Sequence, residues 1–206
     1  MKTLAILSRK GGTGKTTLAT NLAVAAEIAG HTTVLLDLDP QSSAAKWGDR
    51  REQESPAVIS THSERIQNIL DVAAKNGASL AILDTAPHTE ASALDAARAA
   101  QMVLVPCKPA LIDLQAIGST MDVIHLAKVS ARVVFNSVPS RGDLAIQARE
   151  AVDIYDVVCA PCEVGNRIAF VHGYNAGLAA QEFEPNGKAS NEIRALYVYI
   201  AAEMGL

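Results

Sequence analysis

The chain has 206 residues, 49% hydrophobic but only 4% aromatic, with a formal net charge of −4. That length suits one domain with a buried core, and the charge excludes a protein coated in basic residues while leaving room for a local basic patch. The longest apolar runs fall far short of a membrane span. Cys107, Cys159 and Cys162 are too few for a disulfide framework and agree with a cytoplasmic location. The N-terminus enters a strand at once, so no signal peptide is expected.

In chain order, the apolar run Thr3–Leu7 reads as a buried strand. It leads into Ser8-Arg9-Lys10-Gly11-Gly12-Thr13-Gly14-Lys15-Thr16-Thr17, and then into a helix to about Ala29 with Leu18, Leu22 and Ala25 on one face. Strand, glycine-rich loop, lysine, hydroxyl and helix make a phosphate-binding P-loop. Glycines let backbone N–H groups turn inward around phosphate oxygens, and the helix N-terminus adds a favourable dipole. Lys15 is placed to reach the β- and γ-phosphates, and Thr16 to put its hydroxyl on Mg²⁺. The strict spacing G-x-x-x-x-G-K-[ST] fails at its first glycine, where Arg9 stands.

A second strand, Thr33–Asp37, ends in Asp37-Leu38-Asp39-Pro40-Gln41-Ser42. Strand alternation points Asp37 and Asp39 to one side, above the strand's C-terminal end. A helix is expected over Ser43–Glu54, with Trp47 packing inward and Asp49-Arg50-Arg51-Glu52 as a solvated face. A short strand over Pro56–Thr61 and a helix over Glu64–Asn76 follow. Ser79–Asp84 is an apolar strand ending in a carboxylate, the Walker B form, in which Asp84 holds Mg²⁺ through water. Thr85-Ala86-Pro87 is a turn, and His88 reads as an exposed loop residue.

Further expectations are a helix over Glu90–Ala100, a strand over Met102–Val105, a helix over Leu111–Ala127 and a strand over Arg132–Asn136. After these come a helix over Asp143–Asp153, a last short strand over Asp156–Cys159 and a loop over Pro161–Asn166. Helices over Arg167–Ala176 and Lys188–Met204 close the chain. The alternation gives an α/β fold: a doubly wound, mostly parallel sheet with helices on both faces, in one domain over residues 1–206.

Lys10-Gly-Gly-Thr-Gly-Lys15-Thr16 is a deviant P-loop. Together with Asp37-Leu38-Asp39-Pro40-Gln41 and Asp84-Thr85-Ala86-Pro87, it makes the sequence resemble the ParA/MinD family of dimerising ATPases. Among these the chain is most like the small ParA-type partition ATPases. The resemblance spans nearly the whole chain and implies a P-loop NTPase fold with ATP and Mg²⁺ as cofactors. Catalysis would rest on Lys10, Lys15 and Asp39, with Lys10 reaching the partner subunit's phosphates and Asp39 orienting the attacking water. ATP would be held by Lys10, Gly11, Gly12, Thr13, Gly14, Lys15, Thr16 and Thr17. Asn136 would hydrogen-bond adenine, and Pro161 would lie in the loop beside the base. Thr16, Asp37 and Asp84 would serve the metal, the two aspartates through water. A backbone N–H of the turn at 85–87 would sense the γ-phosphate, and Asp113 would lie near the dimer interface.

The same resemblance implies slow ATP hydrolysis, an ATP-bound homodimer, and a small ParB-type or other adaptor that stimulates turnover. It also implies non-specific DNA binding through Arg167, Lys188 and Arg194, and association with the nucleoid. No membrane is expected, because the last helix resembles core packing rather than a basic surface-lying helix. With no helix-turn-helix ahead of the P-loop, no operator would be read. Two alternatives belong to the same superfamily. One is an iron–sulfur carrier using Cys159-Ala-Pro-Cys162, although carriers place that pair directly after the adenine-reading asparagine. The other is a membrane-bound MinD-like positioner. The cargo stays open between plasmid, chromosome, microcompartment and protein cluster.

Overall fold

A computed structural model of the chain describes residues 1–87 and 90–206. The seven strands are β1 (Lys2–Ile6), β2 (Thr33–Asp37), β3 (Ala57–Ser60), β4 (Leu80–Asp84), β5 (Met102–Cys107), β6 (Ser130–Val138) and β7 (Val158–Gly165). They form one sheet in the order β3-β2-β4-β1-β5-β6-β7, with every pairing parallel. The helices are α1 (Lys15–Ile28), α2 (Ser43–Gly48), α3 (Ile66–Lys75), α4 (Glu90–Ala99) and α5 (Leu111–Gln115). They continue as α6 (Ile117–Ala127), α7 (Leu144–Val152), α8 (Ile168–Asn175), α9 (Ala180–Phe183) and α10 (Lys188–Met204).

The central strands are mostly apolar because both their faces are covered. Leu4, Ile6, Leu35 and Ile82 point to one side and pack with Leu18 and Leu22 of α1, Trp47 of α2, and Ile193, Leu196 and Ile200 of α10. Ala5, Leu7, Leu36 and Leu83 point to the other side and meet Ile66 and Leu70 of α3, Ala93 and Ala96 of α4, and Ile117, Met121 and Ile124 of α6. β1 lies between β4 and β5, where the chain passes from one half of the sheet to the other. Its C-terminal end is therefore the switch point at which open α/β sheets bind ligands.

Four expectations need correction. The helix over Ser43–Glu54 ends at Gly48. The following charged run is a solvated face only in part: Asp49, Arg50 and Glu52 are exposed, but the Arg51 side chain is 2% exposed, lies over the Trp47 ring at 4.5 Å and pairs with Glu182 at 2.7 Å. The helix over Leu111–Ala127 divides into α5 and α6 at Ala116, whose N–H donates back to the Asp113 carbonyl in a tight turn. The last strand runs on to Gly165, so the expected loop at 161–166 is mostly strand, and Pro161 lies within β7. Val133 pairs with Cys159 and Phe135 with Glu163, so β7 bulges here. A bulge on an edge strand tolerates a proline because it needs no ladder donor there.

Candidate nucleotide site

The loop between β1 and α1 takes its shape from glycines. Gly12 has φ 72° and Gly14 has φ 93°, left-handed conformations that bulkier residues resist. Gly14 caps α1 without any side-chain hydrogen bond. The backbone N–H groups of residues 10–17 donate to no acceptor among the described residues, whereas that of Arg9 is held by Thr120 Oγ1 at 3.2 Å. A run of unbonded donors at a helix N-terminus is an anion-binding concavity.

Lys15 is 7% exposed, and its Nζ donates to the carbonyl oxygens of Ser8 at 3.1 Å and Lys10 at 3.4 Å. Burial pulls its pKa down, opposed by the nearby charges of Asp84 and Asp39. A buried cation whose hydrogen bonds among the described residues go to two carbonyls is poised to exchange them for phosphate oxygens.

Three carboxylates stand at the neighbouring strand ends. Asp84 is fully buried, accepts the Thr16 hydroxyl at 2.7 Å through Oδ2, and has an Oδ1 with no partner among the described residues. Burial pushes its pKa up to about 7, more than the Thr16 hydrogen bond and the Lys15 charge offset. Asp37 is equally buried, but both its oxygens accept backbone N–H groups, Asp39 at 3.1 Å and Ala45 at 2.9 Å. It therefore ties the 37–42 turn to the first turn of α2, and burial raises its pKa despite those bonds. Asp39 sits at the rim and accepts the Gln41 N–H at 2.9 Å.

The residues fit Mg²⁺. The orphaned Asp84 oxygen and the adjacent Thr16 hydroxyl are hard oxygen donors in contact with each other. No group of three or more His, Cys, Asp or Glu among the described residues forms a metal site by itself. Mg²⁺ commonly takes one or two carboxylates and completes its shell from phosphates and water.

Lys10 bends away from the loop onto Asp113 of α5, Nζ to Oδ1 at 2.8 Å. Asn136 lies under the loop: it is 4% exposed, and its Nδ2 donates to the Thr13 carbonyl at 2.7 Å. One of the two Nδ2 N–H groups is thus engaged inside the protein, which leaves the other and Oδ1 outside that bond. His88 lies outside the described residues. A cavity of about 330 Å³ opens on Thr16 and Thr17, walled by Ser43, Phe170, Val171, Tyr174 and Asn175. Sequence reading missed those α8 residues, because only the fold brings α8 against the start of α1. A larger apolar groove of about 460 Å³ runs between α3 and the β2/β3 edge and shares no residue with the P-loop.

The sequence profile of the CobQ/CobB/MinD/ParA nucleotide binding domain matches residues 4–168. The chain belongs to this family. It is 30% identical to the maintenance of carboxysome distribution protein A of Gloeobacter kilaueensis over 98% of this chain and 94% of that protein. Its fold matches the septum site-determining protein MinD of Pyrococcus horikoshii, complexed with Mg-ADP, at TM-score 0.80 and 17% identity, covering 99% of this chain and 97% of that one. The ATP complex of a Cyanothece McdA variant matches at TM-score 0.77 and 16% identity, over 100% and 97% of the two chains.

Cys159 packs on the α3–α7 side of the sheet and Cys162 on the α1–α10 side, which removes the geometry of a shared cluster ligand pair. Of the basic residues singled out for DNA, Arg167 is engaged: its Nη2 pairs with Glu192 Oε1 at 2.6 Å, and Glu192 also accepts the Gly165 N–H. Lys188 and Arg194 are exposed, and Arg194 donates to Asn191 Oδ1 at 2.7 Å, an uncharged partner. No helix among the described residues is long and apolar enough to cross a membrane.

Proposed function

We propose that the chain is a ParA-type positioning ATPase, which binds Mg²⁺ and ATP, dimerises in that state and separates after hydrolysis. The observation that carries this reading is the run of unbonded N–H groups from Lys10 to Thr17, with Lys15 buried at its side and Asp84 and Thr16 paired beside it. Together they provide donors, a cation and hard oxygens around one small space, which suits a polyphosphate with its metal.

In this reading the loop N–H groups and Lys15 neutralise the terminal phosphate, and Asp39 accepts a hydrogen bond from the water that attacks it. Asp84 and Thr16 would hold Mg²⁺, which when bound offsets negative charge on the phosphate oxygens; Asp37 keeps Asp39 in register through the 37–42 turn. Lys10 leaves Asp113 and adds its charge to the site of the second subunit. Exposed Leu111 and Ile112 precede Asp113, and Leu144 and Ile146 are exposed on α7, which packs against α5. These apolar residues beside Lys10 support a dimer face there. In the dimer, Lys188 and Arg194 from each subunit hold non-specific DNA, and an adaptor protein stimulates hydrolysis. The relation to proteins named for carboxysome distribution favours an intracellular assembly as the cargo.

The test is phosphate release with Mg²⁺ and ATP. Wild type hydrolyses ATP slowly, Asp39→Ala binds ATP without hydrolysing it, and Lys10→Ala binds ATP while losing about 10³-fold in rate. A Lys10→Ala protein that hydrolyses like wild type would refute the trans-acting lysine. Wild type without measurable nucleotide affinity would refute the whole reading.

A further inference from the structure

We infer that Asn136 is a positioning residue of the phosphate loop, aiming the Gly14 N–H at the anion independently of any base; this rests on the nucleotide-site reading above. Asn136 closes the C-terminal half of β6 beside β7, with its backbone paired to Val164. Its side chain is buried and reaches 123 residues back along the chain to the Thr13 carbonyl, at 2.7 Å. The Thr13–Gly14 peptide is trans. In a trans peptide the carbonyl oxygen and the following amide hydrogen point in opposite directions. Holding the Thr13 oxygen down against Asn136 therefore turns the Gly14 N–H up, into the concavity formed by residues 10–17.

Gly14 supplies a second, independent observation. A Cβ placed on it would stand 2.0 Å from Asn136 Nδ2, a distance no real contact allows. Position 14 thus needs glycine for two reasons: its φ of 93°, and the volume that Asn136 fills. The amide occupies the place of the missing side chain and locks the loop from below. Without that lock, the Thr13–Gly14 peptide loses its preferred orientation, because its carbonyl has no other partner among the described residues. A phosphate would then have to order it at the cost of affinity.

Phosphate positioning and base reading separate cleanly in a binding experiment. Inorganic tripolyphosphate, ATP and GTP are titrated in Mg²⁺ buffer against wild type, Asn136→Asp and Asn136→Ala, after circular dichroism shows each variant folded. Asn136→Asp keeps the shape but offers an acceptor where a donor is needed; Asn136→Ala removes the group and stands in if the aspartate disturbs folding. The expected result is a loss of about tenfold for all three ligands, including tripolyphosphate, which carries no base. The Gly14 amide resonance, which should shift in wild type on adding tripolyphosphate, should respond weakly in the variants; a merely structural substitution would leave that response intact. A variant that binds tripolyphosphate like wild type but loses its preference for ATP over GTP overturns the assignment and makes Asn136 a base reader. If wild type binds none of the three, the nucleotide-site reading fails and this assignment falls with it, whatever the variants do.

Discussion

Asp84 shows how a single residue is held at a cost that a ligand relieves. It is a carboxylate without solvent, with one oxygen bonded to Thr16 and the other bonded to nothing among the described residues. Its pKa, raised to about 7 by burial, means that folding favours the protonated form. A raised carboxyl pKa gives stability that is full below the unfolded value near 4, and that is lost as pH rises through about 7. Asp84→Asn keeps the shape without the charge. The metal-free variant should therefore melt above wild type at pH 8, and the gap should close as pH falls to 5. An Asp84→Asn protein that melts lower than wild type at pH 8 would show that the buried charge is compensated by partners other than Thr16.

At the scale of elements, the P-loop, the Asp37–Gln41 turn and the Walker B strand were legible in the sequence, because each is a local string in which spacing alone sets geometry. The strands of the central sheet were legible as apolar runs. What sequence could not show were contacts between distant segments: Asp37 with the Ala45 N–H, Asn136 with the Thr13 carbonyl, and Arg51 with Glu182. Arg51 was misread for that reason, since four charged residues in a row look solvated until Trp47 and Glu182 close over one of them. β7 was cut short because Pro161 reads as a strand breaker, and only a bulge at an edge accommodates it. The Arg51 pair predicts its own test. Arg51→Ala leaves Glu182 with its Ala179 N–H contact but no cation, and should cost about 3 kcal/mol in urea unfolding, the low end for a buried pair because Glu182 keeps some solvent. A loss below about 0.5 kcal/mol would make it an ordinary surface pair.

For the whole molecule, the net charge of −4 gives little long-range attraction to DNA. With Arg167 neutralised by Glu192, one subunit offers only Lys188 and Arg194 of the three candidates. In the proposed function, DNA affinity would then depend on two subunits acting on one duplex, which raises the effective concentration of the second contact. Binding to random DNA should appear with ATP and not with ADP. It should weaken with salt at about −0.9 per phosphate contacted. Arg194→Ala should lower affinity on every sequence alike and flatten that slope, while Arg167→Ala should change it little. A mobility-shift titration at several salt concentrations reads both, and equal effects of the two substitutions would contradict the patch described here.

The proposed switch turns on nucleotide-driven dimerisation, and molar mass measures that without assuming a cargo. Light scattering on the Asp39→Ala protein in Mg²⁺ buffer, where hydrolysis cannot reverse the switch, should give twice the 21.6 kDa chain mass with ATP and the single-chain mass with ADP. Lys10→Ala should remain at the single-chain mass in both. An Asp39→Ala protein that is saturated with ATP yet stays at the single-chain mass would contradict the account.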